Sequence, residues 1–371
     1  MKFALFAEIP VARPWTPGKE AQAFKDTIEQ AVFAEKMGFH SFWSVEHHFL
    51  EEFSHSSNPE LVYAAIAART SRMRIGYGVR LAPKPYNHPV RTAESVATLD
   101  CISDGRVELG MGRSASRLEL EGFGVNPNDT REMLEEAMEH VVGCWTNERH
   151  SFAGKHWSMP ERIVVPKPVQ QPHPPLWIAT TTPDGHRWVG RMGVGVLSFA
   201  VGVSPEDLIP RVEAYRQGLA ECEQPKGRFR NEQVATFTMV HCAISNEQAY
   251  AEAEESMVWY PKRGAKQVAD TAEYARRFNP DGDLGSYFYL TRAEKTLKSG
   301  ALDALDFDYI RDTPAAMVGD PDRCIEIARR YEAAGCDLLF CLANPYKIPH
   351  EQVMQSIELL GKHVIPELDR G

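Results

Sequence analysis

The chain has no Rossmann or P-loop glycine fingerprint, so no dinucleotide or nucleoside triphosphate cradle of that kind is expected. Its seven cysteines are odd in number and never fall at Cys-x-x-Cys spacing, which excludes a disulfide framework and a zinc site of that type. They read as buried thiols of a reducing cytoplasm. No apolar run approaches the length of a membrane span, and the N-terminal apolar stretch is broken by Lys2 and Glu8, too short for a secretory signal. Lys and Arg never cluster, and 41 basic residues face 51 acidic ones for a net charge of −10. Nucleic acid and anionic membrane are therefore not expected partners. No strand carries a His-x-His triplet of the kind a metal-hydrolase barrel uses to bring two imidazoles to one face, and no catalytic metal is expected.

What is present is alternation. Short apolar runs (3–7, 40–44, 74–79, 107–111, 176–180, 195–198, 234–241 and 337–342) are separated by longer stretches with helical spacing. An example is Phe24, Ile28, Ala31, Ala34 and Met37, closed by Gly38. Pro59, Pro89 and Pro183 each stand where a helix opens. Eight strand–helix units argue for an α/β fold, a closed (β/α)₈ TIM barrel. The reading covers 1–371 as one barrel domain with two excursions. Residues 150–174, rich in proline, read as a hairpin or extended detour; residues 246–318, between the last two strands, read as a lid or contact surface.

Four places on the strand-end rim carry chemistry. Glu46-His47-His48-Phe49 follows the second strand, and adjacent side chains on extended chain point to opposite faces. One histidine can face a pocket and move protons near neutral pH; equally, both can brace a loop. Ile75-Gly76-Tyr77-Gly78-Val79 puts two glycines in a strand, marking either a taper of the barrel interior or close approach of backbone to a flat ligand. Met111-Gly112-Arg113-Ser114 offers bare backbone and a forked donor suited to phosphate. Ala179-Thr180-Thr181-Thr182 precedes a helix whose N-terminus can hold an anion, although Thr182 is also an ordinary N-cap. His88 adds another imidazole, and with Glu46 and Gly112 it is a candidate for the substrate pocket.

Collinear segments give these places a context. Trp43-Ser44-Val45-Glu46-His47-His48-Phe49, Asn58-Pro59 and His88-Pro89-Val90-Arg91-Thr92-Ala93-Glu94 come first, followed by Ser103-Asp104-Gly105-Arg106. Val165-Pro166-Lys167-Pro168-Val169-Gln170 and Gly319-Asp320-Pro321 come later. Together they resemble the bacterial luciferase-like flavin-dependent monooxygenases. The resemblance implies a (β/α)₈ barrel that binds FMN at the carboxyl ends of its strands. It implies FMNH2 and O2 as cofactor and co-substrate, with one oxygen atom inserted into a small organic substrate through a flavin C4a-(hydro)peroxide. His47 then matches the imidazole that moves protons, and its charge state selects between attack on a carbonyl and transfer to an electron-rich atom. Gly78-Val79 matches a non-proline cis peptide under the flavin ring. Met111, Arg113 and the Ala179–Thr182 loop match positions near the cofactor, with Arg113 and Thr180–Thr182 near its phosphate. Reduced flavin is expected from a separate NAD(P)H:flavin reductase, and the chain is expected to form a cytoplasmic homodimer. Gly112 stands where light-emitting α chains carry a reactive cysteine, and Thr180-Thr181 replaces their acid–Ser pair. A wider pocket for a bulkier or cyclic substrate is expected. The same barrel also serves F420-dependent oxidoreductases and non-catalytic flavin binders.

Overall fold

The computed structural model describes residues 1–199, 204–279, 281–291, 295 and 305–369. Eight parallel strands close into a barrel. They are β1 (Lys2–Ala7), β2 (Ser41–Ser44), β3 (Arg74–Leu81), β4 (Val107–Gly112), β7 (Leu176–Thr180), β8 (Gly195–Phe199), β9 (Val234–Cys242) and β11 (Leu338–Leu342). Pairing runs in chain order from β1 to β9, and β11 lies between β9 and β1 to complete the ring. Helices α1 (Lys19–Lys36), α2 (Pro59–Ala67), α3 (Pro89–Ile102), α5 (Thr130–Thr146), α6 (Pro183–Arg191), α7 (Ile209–Ala220) and α10 (Pro321–Ala333) connect successive strands. A last segment, α11 (His350–Leu359), runs through a π turn into α12 (Ile365–Leu368). Every expected barrel strand is present, with ends that differ by a few residues.

Both excursions are present as well. Residues 150–174 begin with a two-stranded antiparallel hairpin, β5 (His150–Ala153) and β6 (Ser158–Arg162). The larger excursion opens with the 31-residue helix α8 (Asn246–Arg276) and ends with α9 (Phe307–Asp312) and the short strand β10 (Met317–Gly319). β10 pairs with the last three residues of β9, above the part of β9 that pairs with β11. Some of this excursion, including Pro280 and residues 292–294 and 296–304, lies outside the described residues.

The barrel interior is aromatic. Trp43 packs 4.7 Å from Phe340 and 5.7 Å from Trp177, and Phe6 lies 5.3 Å from Phe237. Rings of this size fit because facing positions have no side chain. A Cβ on Gly76 would fall 2.1 Å from Trp43, and one on Gly195 would fall 2.4 Å from Trp177. Gly76 thus belongs to the taper reading. Burying such rings contributes about 1.5–3 kcal/mol each, and the stack closes the barrel beneath its carboxyl rim. Side chains alternate along a strand. Ala179, two residues beyond the buried Trp177, is accordingly carried to the top of this stack, where it is exposed.

Gly78 behaves differently from Gly76. Between β3 and β4 the register passes from Tyr77↔Leu109 to Arg80↔Met111, so β3 holds one extra residue there. The Gly78–Val79 peptide inside this bulge is cis. β4 makes room for the bulge with two glycines: a Cβ on Gly110 would meet the Tyr77 carbonyl oxygen at 2.1 Å, and one on Gly112 would meet Val79 Cγ2 at 2.4 Å. Gly78 and Val79 are half-buried, so this stretch of backbone remains reachable at the rim.

Candidate active site at the carboxyl rim of the barrel

Glu8 follows β1 and His47 lies three residues beyond β2, so neighbouring strands deliver both to the same rim. The His47 Nε2 lies 3.7 Å from Glu8 Oε2, and its Nδ1 is hydrogen-bonded to Glu119 Oε1 at 2.8 Å. Glu119 comes from the short helix α4 (Arg117–Gly122) and is completely buried. Its carboxylate also accepts from the His48 backbone N–H at 2.9 Å and from the Ser114 hydroxyl. The buried Glu8 accepts from the Tyr260 hydroxyl of α8 at 2.8 Å. The imidazole therefore sits between two carboxylates supplied by two different strand-end loops.

These contacts set the charges. Burial alone would push the His47 imidazole down; Glu119, then Glu8 and Glu46, outweigh it and raise it to about 9. A quarter of its side chain is exposed, and the carboxylates dominate because they are buried. Burial would likewise push Glu119 up, but His47, Ser114 and the His48 N–H hold it below the ordinary carboxylate range. Glu8 goes the other way. Its burial outweighs His47 and Tyr260 and raises it, so Glu8 takes up a proton more readily than Glu119. At neutral pH His47 is an imidazolium clamped at Nδ1. Its Nε2–H faces Glu8 Oε2, a buried oxygen with no hydrogen-bond partner among the described residues.

His48 points elsewhere, as expected for neighbouring side chains. Its ring lies 4.9 Å from Phe123 and stacks near Tyr86 at 6.1 Å, with Nε2 3.4 Å from Glu46. Glu46 serves as a brace. It accepts two hydrogen bonds from Asn87 Nδ2 (2.8 and 3.1 Å) and one from the Leu81 N–H (2.9 Å), and its own N–H donates to the Val79 carbonyl. It therefore fastens the His47 loop to the bulge in β3.

Arg113 leaves the end of β4. Its guanidinium lies over the Tyr287 ring at 4.9 Å, with Nη1 3.5 Å from Thr130 Oγ1. The Tyr287 hydroxyl donates to the Ser114 carbonyl at 2.9 Å. Tyr287 is fully buried and ties the excursion to the rim by polar contacts. The pairing Met111↔Ile178 carries Arg113 and Thr180 to matching heights on adjacent strand ends. Thr182 caps α6, accepting from the Gly185 N–H at 3.1 Å. Gly185 also leaves space for the Thr180 hydroxyl, which a Cβ there would meet at 1.9 Å. Next to Thr180 in the sheet, Ser198 carries a buried hydroxyl without a partner among the described residues. Thr181 is half-buried in the same turn.

Two expected positions sit differently. Met111 is 1% exposed, its side chain committed to the core, so only its backbone belongs to the rim. His88 is exposed and caps α3, its Nδ1 accepting from the Val90 N–H at 3.2 Å, and its ring lies 6.4 Å from His140. It is a capping residue and takes no part in the His47 cluster described above. Glu8, Glu119 and Tyr260 were not anticipated. Glu8 could have been found as an acid directly after the first strand. Glu119 was harder, because Ser116-x-x-Glu119 has the spacing of a capping box, whereas its carboxylate turns away to His47. Four non-glycine residues at positive φ border the cluster: Ile9 (56°), Phe49 (63°), Glu51 (35°) and Ser114 (67°). Such backbone concentrates where surrounding structure enforces a particular geometry.

The family model for luciferase-like monooxygenases matches residues 1–338. The chain belongs to that family. It is 26% identical over 348 residues to the oxygenase component of a flavin-dependent trigonelline monooxygenase from Acinetobacter baylyi, covering 91% of this chain and 87% of that protein. It is 31% identical over 234 residues to an uncharacterized protein of Sinorhizobium fredii, a match covering 62% of this chain and 65% of the relative. An F420-dependent glucose-6-phosphate dehydrogenase of Kineococcus radiotolerans is 30% identical over 226 residues, covering 59% of this chain and 63% of that protein. The fold superposes, with a TM-score of 0.76 and 23% identity, on the oxygenating constituent of 3,6-diketocamphane monooxygenase of Pseudomonas putida, solved in complex with FMN. That match covers 99% of this chain and 98% of the other.

Proposed function

We propose that this chain is the oxygenase component of a two-component system. It uses FMNH2 delivered by a separate NAD(P)H:flavin reductase, together with O2, to place one oxygen atom in a small organic substrate. The observation that carries this reading is the cluster of half-buried His47 between buried Glu8 and Glu119, on the same rim as the open backbone of Gly78–Val79. The residues present fit FMN. The Gly78–Val79 bulge and the exposed Ala179 offer a side-chain-poor surface for a flat ring. Arg113, Thr180, Thr181 and the N-terminus of α6 at Thr182 offer cationic, hydroxyl and amide donors for a phosphate. Among the described residues the Ser198 hydroxyl has no hydrogen-bond partner, nor does Glu8 Oε2 beyond its 3.7 Å approach to His47, and both are polar atoms suited to a guest.

Bound reduced flavin supplies the electrons that activate O2. The protein's share is binding, orientation and proton control. His47 holds a proton at Nε2 while Glu119 fixes its ring, so the cluster is built to give a proton at neutral pH. That favours delivery of oxygen to an electron-rich carbon, nitrogen or sulfur over attack on a carbonyl. Glu8 stands ready to return the proton. His47→Ala is expected to bind FMN normally and to lose product formation by about 10²-fold or more; turnover at the wild-type rate would remove His47 from the reaction. Oxidation of NADPH at catalytic rates by the purified chain with FMN alone would rule out the separate reductase. The F420-dependent relative supports F420 as the alternative cofactor, and binding spectra with each reduced cofactor distinguish the two. The exposed Phe49 (55%) and Leu61 (70%), on early barrel elements, support a homodimer, which sedimentation would test.

A further inference from the structure

We propose that His140, Cys144 and His150 form a metal site for a single borderline cation such as Zn²⁺, separate from the His47 rim. His140 and Cys144 stand four residues apart on α5 and so share one helical face. His150 opens β5 of the hairpin and folds back against that face. One ligand atom from each of the three lies within 4.8 Å of the others. The His140 Nδ1 is 3.0 Å from the His150 Nε2 and 3.6 Å from the Cys144 Sγ. Around a tetrahedral zinc ion, with bonds of about 2.0–2.1 Å to nitrogen and 2.3 Å to sulfur, two nitrogens stand about 3.3 Å apart and nitrogen and sulfur about 3.6 Å. The two edges that meet at His140 are already close to those lengths, and the edge between Cys144 and His150 lies within 4.8 Å.

Its surroundings are arranged to keep it so. His140 and Cys144 are fully buried. Gly143, in the interior of α5, leaves the space that His150 occupies: a Cβ there would meet the imidazole at 2.3 Å. A glycine inside a helix costs about 1 kcal/mol relative to alanine, and here the approach of His150 requires it. Asn147 Nδ2 lies 3.4 Å from the His150 Nδ1, which orients that ring, and Phe152 stacks on His140 at 4.5 Å. Outer contacts of this kind fix the rings of metal-bound histidines. Lys167, in the segment that follows the hairpin, donates to the Cys144 and Asn147 carbonyls at 2.6 and 2.7 Å and so fastens that segment to the end of α5. Two neutral imidazoles and one thiolate are a ligand set for zinc, with a water in the fourth position. Binding replaces the Cys144 thiol proton, so one proton is released per ion. The ion would clip the β5–β6 hairpin to α5.

The test is titration of the full-length, chelator-treated protein with Co²⁺ as a spectroscopic probe, then with Zn²⁺. The expected result is a cobalt–thiolate charge-transfer band that saturates at about one equivalent per chain, is displaced by Zn²⁺, and accompanies a rise in Tm. Cys144→Ser and His150→Asn should each abolish the band while far-UV circular dichroism stays unchanged. Cys101→Ser, at the exposed cysteine, should keep it. No band in the wild type, or a band lost in Cys101→Ser and kept in Cys144→Ser, overturns the site. Because the readout needs neither flavin nor substrate, it is independent of the monooxygenase reading.

Discussion

His47 gains its character from Glu119 more than from any other group, since that carboxylate supplies both the largest charge effect and the hydrogen bond that oppose burial. Glu119→Gln keeps the shape and removes the charge. Product formation in the wild type is expected to fall as pH rises through about 9, where His47 loses its proton. In Glu119→Gln that limb should move toward 6.5, the ordinary value for histidine. A pH profile of kcat/KM checks this, and an unmoved limb would mean that another group donates. Residue identity told part of this in advance. The place of His47 on the rim was legible because it stands just beyond the end of a barrel strand. Its protonation was not, because it depends on acids 39 positions before it and 72 positions after it in the chain, a relation no local pattern carries.

At the scale of elements, β3 and β4 form one device. The bulge in β3 exists beside two glycines of β4, and Glu46 fastens the next loop to it. Gly112→Ala would drive a Cβ into Val79, whose branched side chain has little freedom to turn away. Overpacking of this kind costs about 1–3 kcal/mol, so Tm should fall by several degrees and FMN affinity by about tenfold or more. Isothermal titration against the wild type reads the second effect; unchanged affinity would remove Gly78–Val79 from the cofactor surface. The strands themselves were legible from apolar runs and bounding turns, because barrel strands are buried on both faces. The helix α4 was not, since its Leu-Glu-Leu-Glu stretch alternates as a strand does. The contacts of Tyr287 were hidden for a related reason: an aromatic in a long loop fits lid or core alike, and only three-dimensional contact reveals a buried hydroxyl bonded to rim carbonyls.

For the whole molecule, the rim cluster couples folding to pH. His47 is raised in the folded state, so its contribution to stability is complete below about 6.5 and disappears as pH climbs through about 9. Glu119 is lowered, so its contribution is present above the ordinary carboxylate value of 4.5 and disappears on acidification. Glu8, being raised, opposes Glu119 on the acid side. Thermal unfolding followed across pH should therefore show an alkaline decline that His47→Gln flattens; an equal decline in that variant would assign it elsewhere. Barrel closure was readable from eight alternating units, while the path of α8 across the rim was not. Tyr260 reaches Glu8 across 252 positions of sequence, Thr271 donates to the Ala115 carbonyl, and Tyr274 donates to that of Val125. The acid just after the first strand is thus finished by a helix synthesised only after seven of the eight barrel strands are made. Replacing residues 246–276 with a foreign segment would strip Glu8 of its hydroxyl partner, so this helix and the acid at the end of β1 can be redesigned only together.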